Sequence, residues 1–126
     1  MDVVNRDDVE AFVTKDTSVI REILSYRNSA IRRQSLAEAI VPPGGSTHPH
    51  YHKAAEEIYY ILAGQGRMRV GSEAADVQAG DGIAIPPGSV HQITNTGRED
   101  LVFLCCCAPA YEHADTELVE AIPEPR

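Results

Sequence analysis

Residues 44–64, GGSTHPHYHKAAEEIYYILAG, carry three histidines at alternating positions, His48, His50 and His52, followed by a pair of glutamates. Successive side chains of an extended strand point to opposite faces, so residues two apart share one side. His50 and His52 can therefore direct their imidazoles to one point. Imidazole nitrogens together with a carboxylate oxygen form a ligand set that suits a divalent first-row transition metal. The stretch predicts a metal site inside a β-structure.

Short strand-like segments separated by glycine or proline turns surround this stretch. Residues 57–62 (EIYYIL) form the clearest strand, and with the turn at 63–66 and residues 67–70 they predict a hairpin. Residues 34–41 fit either a helix or a strand, because Leu, Ala and Glu favour a helix but the apolar positions can also face a sheet. Further strands are predicted at residues 18–24, 75–78, 83–85, 90–94 and 101–108. Many short strands with close turns are typical of a β-sandwich or barrel.

The two ends of the chain are less regular. Residues 1–17 form a polar, acidic arm that we expect to be a short strand or loop. In the tail, residues 109–126, the segment 115–121 fits a short helix or a packed edge, and residues 123–126 are expected to be frayed. The sequence contains no linker, low-complexity segment or internal repeat, so we predict a single domain over residues 1–126 with its core at about 35–108.

Composition excludes several classes of function. The 126 residues are 43% hydrophobic and 24% charged, which is ordinary for a folded protein. The formal net charge is -8, so the chain repels phosphate backbones and we expect no nucleic-acid partner. No stretch approaches the roughly 20 apolar residues that cross a bilayer, and the N-terminus does not resemble a secretory signal. We expect a cytoplasmic protein without a membrane partner.

The three cysteines are consecutive, Cys105, Cys106 and Cys107. An odd number of adjacent cysteines is not a disulfide framework, which agrees with a reducing compartment. Alternation along a strand sends Cys105 and Cys107 to one face and Cys106 to the other. We interpret them as small buried hydrophobic residues, with a thiol near the metal as the alternative.

A second motif, at residues 80–95, contains His91 after a proline and glycine turn. Together the two motifs closely resemble the paired signatures of the cupin superfamily. Gly44, His50, His52, Glu57 and Gly64 match the first signature in type and spacing. The second signature is matched by Gly80, Pro86, Gly88, His91 and Asn95, and the resemblance covers about residues 35–108.

The resemblance implies an all-β fold, a double-stranded β-helix (jelly-roll) barrel, with His50, His52, Glu57 and His91 as ligands of one divalent metal. Three neutral imidazoles and one carboxylate would leave a dication with a charge of about +1 and open coordination positions. His50 and His52 come from one strand, and we expect Glu57 to open the next strand of the same sheet. The identity of the metal, among Mn, Fe, Ni, Cu, Zn and Co, does not follow from the sequence.

Two further residues are candidates for catalysis. His48 shares the parity of His50, and we interpret it as a surface histidine, with contact to a ligand or substrate as the alternative. Tyr59 shares the parity of Glu57, so its hydroxyl either donates to a substrate or its ring simply fills the barrel. Tyr60 and Leu62 face the other side of this strand, where they suggest a second packed layer or the interface of a homodimer.

The metal site predicts an enzyme that acts on a small chelating molecule with oxygen donors. Dioxygenase, isomerase and lyase reactions occur on similar sites, and small cupins are often compared with mannose-6-phosphate isomerase. The alternative is a protein that binds or senses a small ligand or metal without turnover. Cupin regulators normally carry a separate DNA-binding domain, for which this chain has no room.

Overall fold

The computed structural model describes residues 1–121 and is built almost entirely of short β-strands. The expectation for residues 123–126 lies outside the described residues. The strands are β1 (Phe12–Val13), β2 (Val19–Leu24), β3 (Ser35–Val41), β4 (His50–His52), β5 (Glu56–Ala63), β6 (Gln65–Val70), β7 (Glu73–Gln78), β8 (Gly82–Ile85), β9 (His91–Asn95), β10 (Leu101–Ala108) and β11 (Thr116–Leu118). Short 3₁₀ helices occur at Arg6–Asp8 and His113–Asp115.

The strands form two antiparallel sheets. The first sheet has six strands in the order β1-β2-β3-β10-β5-β8, and the second has five in the order β11-β4-β9-β6-β7. Strands that are neighbours in a sheet are mostly distant in sequence, as in the pair β3 and β10. This arrangement is the jelly roll that the sequence predicted, and the prediction of an all-β fold is confirmed.

The core lies between the inner faces of the two sheets. Alternation on β10 is regular, with every second residue from Leu101 to Cys107 buried. Phe103 and Ile61 come from the six-stranded sheet, and Ile93 and Met68 face them from the five-stranded sheet. This apolar core continues to the cavity of the site, which Phe103 also lines.

One predicted pairing is wrong. Residues 57–62 and 67–70 do not form a hairpin, because β5 pairs with β10 and β8, whereas β6 pairs with β7 and β9. The chain crosses between the sheets at Gly64, whose φ of +89° is in the left-handed region. A single residue in this conformation redirects the chain, so β5 and β6 run in different sheets.

The ambiguous segments are resolved as strands. Residues 34–41 contain β3, and the helical alternative is wrong because this strand is paired on both sides, with β2 and β10. In the tail, β11 pairs with β4, so the packed edge describes residues 115–121 better than the short helix. Neither 3₁₀ helix within residues 1–121 is long and apolar enough to cross a membrane.

Candidate metal centre

Four buried side chains, from two neighbouring strands of one sheet and one strand of the other, meet between the sheets. His50 and His52 lie on β4 and His91 starts β9, its neighbour, where His50 and His91 are directly paired. Glu57 lies on β5 in the six-stranded sheet. The expectation that Glu57 shares the sheet of the histidines is therefore wrong: the chain passes to the other sheet between β4 and β5, so the site joins both sheets.

The hydrogen bonds of the three histidines fix their tautomers. His50 Nδ1–H donates to the carbonyl oxygen of His48 at 2.8 Å, and His91 Nδ1–H donates to the carbonyl oxygen of Ser89 at 2.9 Å. A carbonyl oxygen can only accept, so the proton of each neutral ring is on Nδ1. Each Nε2 therefore carries a lone pair toward the centre of the cluster.

His52 is held in the same way by a side chain. The hydroxyl of Thr116 donates to the carbonyl oxygen of Glu112 at 3.0 Å, so its oxygen is free to accept from His52 Nδ1–H at 3.0 Å. His52 Nε2 then lies 3.1 Å from Glu57 Oε1, and His91 Nε2 lies 3.4 Å from the same oxygen. Hydrogen bonds of this kind to the outer nitrogen orient histidines that bind metals.

The result is a cluster of acceptors that requires a cation. One candidate ligand atom from each of His50, His52, Glu57 and His91 lies within 4.8 Å of the other three. All four residues are buried, and His91 Nε2 has no hydrogen-bond partner among the described residues. Lone pairs that point at one another in a buried site are unfavourable unless a proton or a metal ion lies between them. The donor set fits a divalent transition metal.

The pKa values of these groups reflect the same arrangement. Burial, reinforced by the neighbouring His91, lowers the pKa of His50 to about 4, so this ring is neutral at pH 7. Burial also acts to lower the pKa of His52, but its contact with Glu57 outweighs burial and the pKa is raised. Burial acts to raise the pKa of Glu57, but the contacts with His52 and His91 hold it far below its usual range. Glu57 is therefore a carboxylate.

A small cavity lies between the cluster and the N-terminal arm. Its volume is about 40 Å³, room for about three water molecules. Apolar side chains such as Ile20 and Phe103 form much of its wall, and Asp16, His50 and Glu57 supply polar atoms. A ligand enclosed here would have only a few non-hydrogen atoms.

The two candidates for catalysis occupy different places. Tyr59 is buried in the cavity wall, where its ring lies 5.8 Å from that of His91 and 4.6 Å from that of Phe103, centroid to centroid. Burial raises the pKa of Tyr59 well above its usual value, so the hydroxyl keeps its proton. The half-buried imidazole of His48 is outside this cavity and donates from Nε2–H to the carbonyl oxygen of Val119 at 2.8 Å. His48 contributes to the site through its backbone carbonyl, which orients His50.

The alternation predicted for the cysteines is confirmed, and one thiol lies close to the cluster. Cys105 and Cys107 are buried on the inner face of β10, whereas Cys106 is half-buried on the outer face. Cys107 Sγ donates to Glu57 Oε2 at 3.1 Å. Burial and the charge of Glu57 raise the pKa of Cys107, so it remains a protonated thiol that orients the carboxylate.

Sequence reasoning missed two residues of the site. Thr116 reaches His52 from the C-terminal tail, and Asp16 reaches His50 from the N-terminal arm, with Oδ2 at 3.5 Å from His50 Nε2. Both are far in sequence from the two motifs, and no spacing rule connects them. The only local signal is the run Thr14-Lys15-Asp16-Thr17-Ser18, which is typical of a side-chain-supported turn.

Comparison with known proteins agrees with this geometry. An uncharacterized protein of Methanocaldococcus jannaschii is 48% identical over 114 residues, which cover 90% of this chain and 91% of the relative. An oxalate-binding protein of Thermotoga maritima is 42% identical over 82 residues, 65% of this chain and 68% of the relative. The solved structure of the polyketide cyclase RemF from Streptomyces resistomycificus has a TM-score of 0.80 at 27% identity and covers 99% of this chain and 89% of that one. The sequence model of the cupin domain family matches residues 37–107 of this chain. The chain belongs to the cupin superfamily, as the two motifs predicted.

Proposed function

We propose that this cupin holds one divalent transition metal through His50, His52, Glu57 and His91 and uses it to bind and convert a small molecule with chelating oxygen atoms. The observation that carries the proposal is the convergence of three Nε2 lone pairs and one carboxylate oxygen in a buried cluster. A metal bound there would polarise a carbonyl or enolate oxygen as a Lewis acid or, if redox-active, support reactions with dioxygen.

The remaining residues of the site suit such a role. The cavity beside the cluster is small and largely apolar, so it excludes bulk water and strengthens electrostatic interactions with a bound ligand. The protonated Tyr59 hydroxyl is a candidate donor to that ligand. Cys107 and Thr116 would hold Glu57 and His52 in their orientations. Dioxygenase, isomerase and lyase reactions all remain within this proposal.

Binding without turnover is the second candidate function. It is favoured by the 42% identical relative that is named for binding oxalate, a small chelating dicarboxylate. The small cavity also agrees with a ligand of that size. In this case the metal would serve to hold the ligand rather than to transform it.

Two measurements separate these candidates. Elemental analysis of protein purified without added metal should find about one transition metal per chain, and its identity indicates whether oxygen chemistry is available. The metal-loaded protein should then consume oxygen or convert a member of a panel of diketones, catechols, acidic sugars and hydroxy acids, and His91→Ala should abolish this activity. Ligand binding without conversion across the panel would favour the binding function, and absence of metal would reject both.

We also propose that residues 1–126 form one cytoplasmic domain. Both ends of the described chain pack on the barrel, the arm through an ion pair of 2.5 Å between Arg6 and Glu38 and the tail through β11. All three cysteines are free, which suits a reducing compartment.

A further inference from the structure

Asp16 brings a second carboxylate to the candidate metal centre from outside both motifs. It lies between β1 and β2, is only 9% exposed, and lines the cavity together with His50, His52 and Glu57. Buried carboxylates are rare unless they are paired or have a specific role. Asp16 is not one of the four candidate ligands, so the burial of its carboxylate beside them needs a separate explanation.

The backbone around Asp16 is held firmly. Thr14 N–H donates to the carbonyl oxygen of Ser18 and Thr17 N–H to that of Thr14, both at 3.0 Å. Thr17 adopts a φ of +75°, which is strained for a β-branched residue. His48 N–H donates to the carbonyl oxygen of Asp16 at 2.7 Å, so the turn is tied to the residue whose own carbonyl orients His50. The position of Asp16 relative to the cluster is thus fixed.

The two oxygens of the Asp16 carboxylate have different surroundings. Oδ1 accepts from the Thr14 hydroxyl at 2.5 Å, from the Ser18 hydroxyl at 2.6 Å and from the Ser18 N–H at 2.9 Å. Oδ2 faces the cavity, where its contact within residues 1–121 is His50 Nε2 at 3.5 Å. Three donors on one oxygen fix the orientation of the carboxylate and direct the other oxygen to the site.

Oδ2 and His50 Nε2 are both acceptors, because the proton of the neutral His50 ring is on Nδ1. Oδ2 lines the same cavity as His50, 3.5 Å from Nε2, so a small molecule bound in this cavity beside a metal that His50 would help to hold could reach Oδ2 with a hydrogen bond. The group that satisfies Oδ2 there must carry a hydrogen. A ligand oxygen with a negative charge and no hydrogen would instead be repelled.

We propose that Asp16 determines the ligand specificity of this site: it favours a small chelator that places a hydroxyl group beside the carboxylate, such as an α-hydroxy acid, and disfavours a chelator with two carboxylates, such as oxalate. This inference rests on the proposed metal-dependent binding of an oxygen-donor molecule. It distinguishes the chain from a site that simply accepts dicarboxylates. The role is one of binding and requires no proton transfer.

The test compares wild type with Asp16→Asn, loaded with cobalt(II), by titration with glycolate and with oxalate. Both chelators have two carbons, and binding is followed by calorimetry and by the visible spectrum of the cobalt. In the variant the three donors keep the amide oxygen at the position of Oδ1, so the NH₂ group replaces Oδ2 and becomes a donor to oxalate. Asp76→Asn, the same change at an exposed carboxylate on β7, is the control.

We expect Asp16→Asn to retain cobalt and to shift the ratio of the two dissociation constants toward oxalate by about tenfold or more, while Asp76→Asn leaves the ratio as in wild type. An unchanged ratio in Asp16→Asn overturns the proposal, as does loss of cobalt from that variant, which would make Asp16 a metal ligand. If cobalt-loaded wild type binds neither chelator, the specificity proposal is overturned, whereas the proposed function fails only if the wild type does not hold the metal or if no chelator of the wider panel binds.

A second comparison needs no variant. Methoxyacetate retains the chelating oxygens of glycolate but has a methyl group in place of the hydroxyl hydrogen. Cobalt-loaded wild type should bind glycolate about tenfold or more tightly than methoxyacetate. Equal affinity for the two would contradict the role of Asp16 even if Asp16→Asn does not fold.

Discussion

The hydroxyl of Thr116 connects the C-terminal tail to the candidate ligand His52. It accepts from His52 Nδ1–H at 3.0 Å and donates to the carbonyl oxygen of Glu112 at 3.0 Å, which forces the lone pair of His52 onto Nε2. Without this oxygen the ring loses both its orientation and its preferred tautomer. The tail therefore contributes to the chemistry of the site although neither motif includes it.

Replacing Thr116 with valine, which keeps the shape of the side chain, should weaken metal binding by about 10- to 100-fold. Competition with a chromogenic chelator measures this change. Thr94→Val is a matched control, because Thr94 makes its hydrogen bond of 2.7 Å to Ser46 away from the cluster. Equal metal affinity in Thr116→Val and wild type would show that the tautomer is set by other contacts.

The pKa shifts predict how metal affinity depends on pH. The raised pKa of His52 means that a proton competes with the metal already above the ordinary imidazole value of about 6.5, so affinity should fall as the pH drops through neutrality. His50 begins to compete only near its lowered pKa of about 4. We expect a loss of about tenfold in affinity per pH unit between pH 7 and 5, measured with a competing chelator. A constant affinity over this range would contradict the assignment.

At the scale of single residues, the spacing of the two sequence motifs identified the four candidate ligands but not the residues that contact and orient them. His50, His52, Glu57 and His91 follow from two local motifs, because each motif fixes its residues within one strand or turn. Asp16 and Cys107 act through contacts across 34 and 50 positions of the sequence, as their partners His50 and Glu57 show. Such contacts depend on how strands are ordered in the sheets, which spacing along the chain does not specify.

Gly64, in the connection between β5 and β6, combines a left-handed backbone conformation with close backbone neighbours that leave no room for a side chain. It has a φ of +89°, and a Cβ built on it would lie 2.8 Å from the carbonyl oxygen of Asp100 and 3.0 Å from the Cα of Leu101. Both contacts are with backbone, which cannot move aside as a flexible side chain can. The crossing from β5 to β6 therefore depends on the absence of a side chain.

Gly64→Ala should destabilise the protein by more than the conformational cost alone, with about 3–5 kcal/mol expected from left-handed strain and overpacking together. Gly80→Ala is the control: its φ is +96°, but a Cβ there meets nothing within 4 Å, so only about 1–2 kcal/mol is expected. Urea unfolding of the two variants measures the difference. Equal losses would mean that the approach of Asp100 is easily relieved.

The same crossing explains which elements the sequence could predict. Strands at residues 57–62 and 101–108 are recognisable because their alternation or apolar runs are local properties. The pairing of residues 57–62 with 67–70 was predicted wrongly, because a short glycine-containing connection is also the signature of a hairpin. The conformation at Gly64 decides between the two outcomes, and the partners of β5, namely β10 and β8, are remote in sequence.

For the whole molecule, the cluster is built from residues of both sheets. Three histidines belong to the five-stranded sheet and Glu57 to the six-stranded sheet, so a bound metal would link them. At a free metal concentration of 100 times Kd, metal binding should stabilise the fold by about 2.7 kcal/mol, and chelation should lower Tm by roughly 10 °C.

This stabilisation is measured by thermal unfolding with and without added metal. His91→Ala should lose the difference in Tm, whereas His113→Ala, at an exposed position in the tail, should retain it. A metal-dependent rise in Tm that survives His91→Ala would place the ion elsewhere.

The outer face of the six-stranded sheet bears on the predicted homodimer. Ile58, Tyr60 and Leu62 alternate on β5 and are 53%, 45% and 45% exposed, so within residues 1–121 no second layer covers them. Leu104 and Cys106 of β10 pair with Tyr60 and Ile58, which extends the apolar face across two strands. The sequence predicted either a second packed layer or a homodimer interface for this face. No second layer is found within residues 1–121, and the homodimer interface stays a prediction.

Light scattering should give twice the chain mass of 13.7 kDa for the wild type, and Ile58→Asp should shift the protein toward the monomer, because a charge on this face loses its hydration when the two copies meet. Val3→Asp introduces the same charge at an exposed aliphatic residue of the N-terminal arm and should leave the mass unchanged. A wild-type monomer at high concentration would refute the dimer. A dimer that persists in Ile58→Asp would show that the two copies meet through another face and that the exposed residues of β5 do not form the dimer interface.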